Sequence, residues 1–176
     1  PGLEKENIAI TVSADMLICP ATTDRYPDPV IEALDGQLIT GKSTDQPQLR
    51  YGNWETDISR DILKIVVINR YKKAPVARAF IKNFGLKAGA IASSVAHDSH
   101  NIVAGGVGDE DIARAVNLVI SEKGGISAVG PGREMKLALP VAGLMTASDG
   151  YQTAKIYTDL DALAKELGSG LRAPFL

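Results

Sequence analysis

The sequence predicts a single α+β (mixed α/β) domain, a mixed β-sheet covered by about three helices. Three observations carry this expectation. Strand-like and helix-like stretches interleave along the chain, and several strands are joined by hairpin-type turns rather than by crossovers. The stretch ILKIVVINRY (residues 62–71) is nearly all apolar and β-branched, which fits a strand buried on both faces in the middle of a sheet. Residues 109–123 carry the strongest helical stripe, Ile112, Val116, Val119 and Ile120, with Asp109, Glu110 and Asp111 at the dipole-favoured start and Gly124 as the stop.

The remaining elements follow in order. IAITVSADMLIC (8–19) alternates loosely and fits a strand, and PATTDRYPDP (20–29) is turn-rich. VIEALDGQLITG (30–41) reads as one or two strands around the Asp35–Gly36 turn dipeptide. Residues 42–61 read as polar loop. In APVARAFIKNFG (74–85), Pro75 suits a first helical position, Gly85 a C-terminal cap, and Val76, Phe80 and Phe84 share one helical face. GAIASSVA (89–96) and NIVAGG (101–106) are short strands flanking HDSH. ISAVG and EMKLALP form a strand pair around Pro131–Gly132. The last helix runs over about 151–167, with Ile156, Leu160, Leu163 and Leu167 in register and Gly168 as its stop.

Size and composition bound the function. The chain has 176 residues, enough for one domain with a real core; it is 45% hydrophobic and 23% charged. A net charge of -2 argues against a nucleic-acid footprint or a basic membrane patch, and the scattered aromatics offer no base-stacking platform. No apolar run reaches the length of a membrane span. Cys19 is the only cysteine, so no internal disulfide can form; with no export signal in PGLEKENI, this favours the cytoplasm. A start at Pro1 rather than Met fits a piece of something longer.

One motif is rejected. Gly36 to Ser43, GQLITGKS, formally matches the phosphate-binding loop. That mechanism needs a loop of small residues between a strand and a helix whose N-terminus faces the anion. Leu38 and Ile39 prefer an extended strand, and Pro47 follows with no helical stripe. Gly105, Gly106 and Gly108 do not make a dinucleotide fingerprint and are expected to allow a tight strand-to-helix turn.

The chemistry concentrates in SSVAHDSHNIVAGG (93–106). The chain's two histidines, His97 and His100, lie here with Asp98, Ser99 and Asn101, and Ser93 and Ser94 stand just upstream. Imidazole, carboxylate, hydroxyl and amide at one end of a sheet can shuttle a proton, join a metal site or read a polar heterocycle. A structural turn, with Asp98 and Asn101 capping backbone groups, is the competing reading. Adjacent turn positions rarely converge on one ion, and a catalytic zinc usually takes three protein ligands. The zinc-deaminase pattern H-x-E…P-C-x-x-C is absent. Ser99, His97 and Asp98 are too close in sequence to align readily as nucleophile, base and orienter. The cluster therefore reads as part of a site whose other groups lie elsewhere.

FIKNFGLKAGAIASSVAHDSHNIVAGG (80–106), LPVAGLM (139–145) and LRAPFL (171–176), with DILKIVVINRY (61–71), resemble the C-terminal domain of the prokaryotic adenine deaminase family, within the amidohydrolase superfamily. The resemblance runs from about residue 30 to the end. It implies a domain over 30–176 and an N-terminal segment over 1–29 that packs on it or links to it. The implied reaction is adenine plus water giving hypoxanthine plus ammonia, a purine-salvage step. The implied cofactor is a divalent metal (manganese, iron or zinc), bound mainly by a barrel domain that precedes this one and is absent here. Partners implied are adenine, that barrel and a homo-oligomer, with no nucleic acid and no membrane. His97, Asp98 and His100 become the catalytic candidates, and Ser94, Ser99 and Asn101 the substrate-binding ones; no metal ligand is assigned in this chain. The fragment alone is expected to be inactive. Two departures stand out: Ala173 occupies a place where the family pattern suggests an acidic residue, and the chain stops at Leu176 where family members continue through an apolar stretch. The alternatives are a non-catalytic assembly module and a small-ligand-binding module.

Overall fold

A computed structural model describes residues 11–21, 29–97 and 99–175. The expected strand over 8–19 therefore lies partly outside the described residues, as do most of the turn-rich segment that follows and Asp98. Two sheets and two α-helices form the described structure.

The main sheet is built around β6 (Ile62–Ile68), which pairs antiparallel with β7 (Ala77–Lys82) on one side and β9 (Ile102–Gly106) on the other. Its side chains alternate between faces, as a strand's must. Val66 and Ile68 enter one apolar cluster, Leu63 and Ile65 the opposite one. The β-branched run is thus interior and buried on both faces, as its composition predicts. β8 (Ala90–Ser93), β10 (Gly125–Gly130) and β11 (Arg133–Ala138) continue the sheet beyond β9. β2 (Val30–Glu32) and β3 (Gly41–Ser43) extend it beyond β7, and β2 to β7 is the one parallel pair among eight strands. The sheet is mixed, and the fold is α+β.

Helix α1 (Asp109–Ser121) covers one face with buried Ile112, Ala115, Val116 and Val119. Helix α2 (Gly150–Glu166) covers β10 and β11 on the other, burying Leu160, Leu163 and Ala164. The Asp149 side chain caps α2 by accepting from the Gln152 amide at 2.9 Å. Ahead of the sheet, a short 3-10 turn (Ala14–Leu17) drops Leu17 against α1. Asn117 of α1 grips this segment through both amide atoms, accepting from Val12 N and donating to Val12 O. No helix of the described residues is long and apolar enough to cross a membrane.

The structure corrects several expectations. The third helix, over 74–85, is instead strand β7. Val76, Phe80 and Phe84 are spaced by four, and four is also a multiple of the strand period, so the spacing does not separate helix from strand. Tertiary pairing decides. Phe80 packs with Val30 and Ile62 on one face and Ile81 with Leu63 on the other, so the segment is buried from both sides, which suits a strand between two others. Residues 42–61 are not all loop. β4 (Gln48–Arg50) and β5 (Asn53–Glu55) form a hairpin, and β1 (Cys19–Pro20) pairs with β5 to complete a three-stranded sheet. Its two-residue turn, Tyr51–Gly52, has φ of 47° and 79°, the double left-handed geometry usually marked by Asn-Gly. The Asp35–Gly36 turn does join two antiparallel strands, but through an eight-residue connection (33–40) in which Leu38 and Ile39 are exposed. Residues Gly41–Ser43 are strand and not the start of a helix, so Lys42 meets no helix N-terminus. Finally, Gly105 and Gly106 lie within β9. A side chain on Gly106 would collide with Ala90 of β8 at 2.5 Å, so close strand approach, not the expected tight strand-to-helix turn, requires glycine there; only Gly108 stands at the start of α1.

Candidate functional site

The histidine block is the connection between β8 and β9, whose last matched pair is Ser93 with Val103. From there the chain leaves the sheet as a compact turn. The Ser99 amide donates to the His97 carbonyl and the His100 amide to the Ala96 carbonyl, both at 2.9 Å. His100 adopts a left-handed conformation (φ 49°), an uncommon state for a residue with a β-carbon. That twist separates the two imidazoles.

His97 is exposed and borders a cavity of about 470 Å³. The cavity lies on the α2 face of the sheet, beside the part that α2 leaves uncovered. Its floor is Ile65, Ile81, Ile91 and Val103, and its roof is loop 33–40 with the closing segment 171–175. Arg172 ties the two sides of the roof together, donating from its amide and from Nε to the Asp35 carboxylate, each at 2.8 Å. The backbone and side-chain hydrogen bonds from Arg172 hold the Asp35 carboxyl below its usual pKa.

His100 is half-buried and does not line this cavity. Its Nδ1 and the neighbouring Asn101 Oδ1 are both shielded from solvent and have no hydrogen-bond partner among the described residues. Ser99 is exposed, and its hydroxyl accepts from the Asn101 amide at 3.4 Å. Ser94, expected among the substrate contacts, is fully buried, with its hydroxyl engaged by backbone. It accepts from Gly125 N at 2.8 Å and donates to Gly143 O at 2.6 Å. Among the described residues no group of three or more His, Cys, Asp and Glu side chains is arranged to hold a metal.

Two features escaped sequence reasoning. Arg70, just past β6, donates from Nε to the His100 carbonyl at 2.6 Å and from Nη2 to the Ala142 carbonyl. The turn 141–145 closes by backbone bonds between Val141 and Met145 and stands beside the histidine block. A lone arginine ending an apolar strand was the only signal for the first. The second had none beyond LPVAGLM itself.

The geometry brings the separate sequence blocks, SSVAHDSHN and LPVAGLM, into one place, and the comparisons assign both to one family. Residues 37–176 match the family model described as adenine deaminase C-terminal domain. The chain belongs to this family. An adenine deaminase of Methanosarcina acetivorans is 46% identical over 173 residues, covering 95% of this chain and 31% of the relative, a match that reaches into residues 1–29. The Methanosarcina barkeri adenine deaminase is 49% identical over 147 residues (84% of this chain, 27% of the relative), and that of Borreliella burgdorferi 41% over 150 (84% and 27%). The chain thus spans about a third or less of the adenine deaminases it matches.

Proposed function

We propose that this chain is the C-terminal domain of an adenine deaminase, a cytoplasmic purine-salvage hydrolase of the amidohydrolase superfamily, with 30–176 as the domain proper. The reaction is adenine plus water giving hypoxanthine plus ammonia. The observation that supports a role for this domain in it is the pair His100 Nδ1 and Asn101 Oδ1, both unpaired among the described residues. A buried polar atom left unpaired costs about 1–3 kcal/mol, so two in adjacent residues point to a group supplied from outside the domain. A ring nitrogen able to give or take a proton beside an amide oxygen able to accept one suits an aminopurine. Water adds at the carbon bearing the amino group, and that nitrogen leaves as ammonia after gaining a proton. In this reading His100 moves or holds that proton, Asn101 accepts from a purine N–H, and Ser99, His97 and Asp98 complete the polar rim. Ser94 holds the turn in place. The divalent metal, manganese, iron or zinc, belongs to a barrel in the larger remainder of the protein, and a homo-oligomer is compatible with that arrangement.

The test is kinetic, in the full-length protein. His100→Ala and Asn101→Ala are expected to lower kcat, by about 10²-fold for His100, with little change in melting temperature. Unchanged kcat in a folded His100→Ala enzyme would remove this reading. The isolated chain is expected to release no ammonia from adenine, even with added manganese, iron or zinc.

The cavity beside His97 favours a second reading, a small-ligand module that binds without turnover, since ligand sites are concave and mostly apolar with few polar groups. Equilibrium dialysis of adenine against the isolated chain separates the two. Saturable binding that His97→Ala abolishes supports the second.

A further inference from the structure

We infer that Arg70 is the positioning residue that holds His100 and the turn 141–145 together as one unit. This rests on the reading of His100 given above and adds the residue through which that side chain is aimed.

A guanidinium offers five donors in a rigid plane, so it can hold several carbonyls at fixed angles, which a lysine cannot. Arg70 uses this fork on three segments. Nε donates to the His100 carbonyl at 2.6 Å, Nη2 to the Ala142 carbonyl, and Nη1 to the Lys123 carbonyl at 3.4 Å. One face of the guanidinium lies 5.0 Å from the centre of the Tyr71 ring, and the Tyr71 hydroxyl reaches the same His100 carbonyl at 3.4 Å. Each carbonyl is presented by unusual backbone. His100, Lys123 and Ala142 all have positive φ, at 49°, 61° and 57°. Three left-handed residues without glycine's freedom, gathered round one side chain, need an interaction that over-determines them. Gly143, next in the turn, completes the fit. Its φ of 77° favours glycine, and a β-carbon there would overlap the guanidinium and push it aside. The direction of the His100 imidazole is set by its backbone, and its backbone is held by Arg70.

The experiment uses the full-length protein with variants Arg70→Ala, Arg70→Lys, Gly143→Ala, His100→Ala and the Arg70→Ala/His100→Ala double. Misplacing a reacting group by about 1 Å costs up to about 10²-fold. Arg70→Ala is therefore expected to lower kcat by about tenfold to 10²-fold with KM little changed. Arg70→Lys should fail to restore it, because charge without the fork does not align three carbonyls. Gly143→Ala should reproduce the loss while keeping the arginine, which also serves if Arg70→Ala does not fold. The double variant should be no slower than His100→Ala alone, a non-additivity that a merely structural role would not produce. Normal kcat in folded Arg70→Ala, or losses that multiply in the double variant, overturns the inference while leaving His100's own role standing. A silent His100→Ala overturns both.

Discussion

Ser94 and Gly143, 49 residues apart in sequence, are joined by a 2.6 Å hydrogen bond from the Ser94 hydroxyl to the Gly143 carbonyl. The same oxygen accepts from the Gly125 amide at 2.8 Å. One fully buried hydroxyl therefore links the end of β8, the start of β10 and the turn 141–145. Arg70 grips that turn from its other side, so the turn is fixed at two adjacent residues by side chains from different strand ends.

The Ser94→Ala variant tests this bond. It leaves a buried carbonyl and a buried amide each short of a partner, which costs about 1–3 kcal/mol per group. Urea denaturation of the isolated chain should show a lowered midpoint with an unchanged slope. An unaltered midpoint would mean that the hydroxyl's bonds are replaced at no cost.

Lys64 gives a second prediction. It sits in β6 at 3% exposure, among apolar neighbours, and its ammonium meets the Asp109 carboxylate at 2.5 Å at the start of α1. Removing Asp109 leaves the buried Lys64 ammonium uncompensated, whereas removing Lys64 leaves a carboxylate that is partly exposed and lies at a helix N-terminus, where negative charge is favoured. Asp109→Ala should therefore destabilise the chain strongly. Full burial would make the cost about 3–5 kcal/mol, and the partial exposure of Asp109 reduces it. Lys64→Met should be close to neutral. Equal losses in the two variants would contradict this account; the measurement is a pair of thermal or chemical melts.

The third prediction concerns acid. Asp57 caps the short 3-10 turn (Ile58–Arg60) and accepts from the Ser59 hydroxyl, the Ser59 and Arg60 amides and Arg60 Nε. The Ser59 hydroxyl first, then the Arg60 side chain, pull its pKa from 3.8 to about 2. A carboxyl depressed on folding contributes stability that is complete above its unfolded pKa and is lost as pH falls through the folded one. The contribution should thus be intact above about pH 4 and fade towards pH 2. Carboxyl carbon shifts followed by NMR should place the Asp57 midpoint near 2, and Asp57→Asn should flatten the pH dependence of stability across that interval. A midpoint near 3.8 would show that the cap does not favour the charged form.

Legibility in the sequence followed the physics of each segment. The interior strand was readable because two-sided burial demands an unbroken β-branched run. Helices α1 and α2 were readable because each has one apolar stripe and a stop glycine. The 74–85 segment was not, because a spacing of four satisfies both periods and only the partners on either side choose between them. The Tyr51–Gly52 hairpin hid behind a dipeptide that seldom adopts its geometry. For the site, local spacing located the block but not the division within it. The left-handed twist at His100 sends the two imidazoles to different surroundings, and that depends on Arg70, 30 residues earlier. Ser94 read as a polar group available to a ligand because sequence does not show which hydroxyls the backbone has already engaged.

The sheet's order also bears on the time course of folding. β8, β9, α1, β10 and β11 are consecutive in sequence, and their strands pair as near neighbours within residues 90–138. The β2–β3 edge joins the sheet only through β7, with Ile31 meeting Ile81 after a long closure. Loops of that span close late, since their entropy is spent before any contact rewards it. The 90–138 half is therefore the natural nucleus, and the β2–β3 edge docks after the rate-limiting barrier. A conservative Ile31→Val substitution should speed unfolding and leave refolding almost untouched, whereas Val116→Ala should slow refolding. The roof of the cavity, loop 33–40, hangs from that late edge. That loop is therefore expected to open with the β2–β3 edge, before the 90–138 half comes apart.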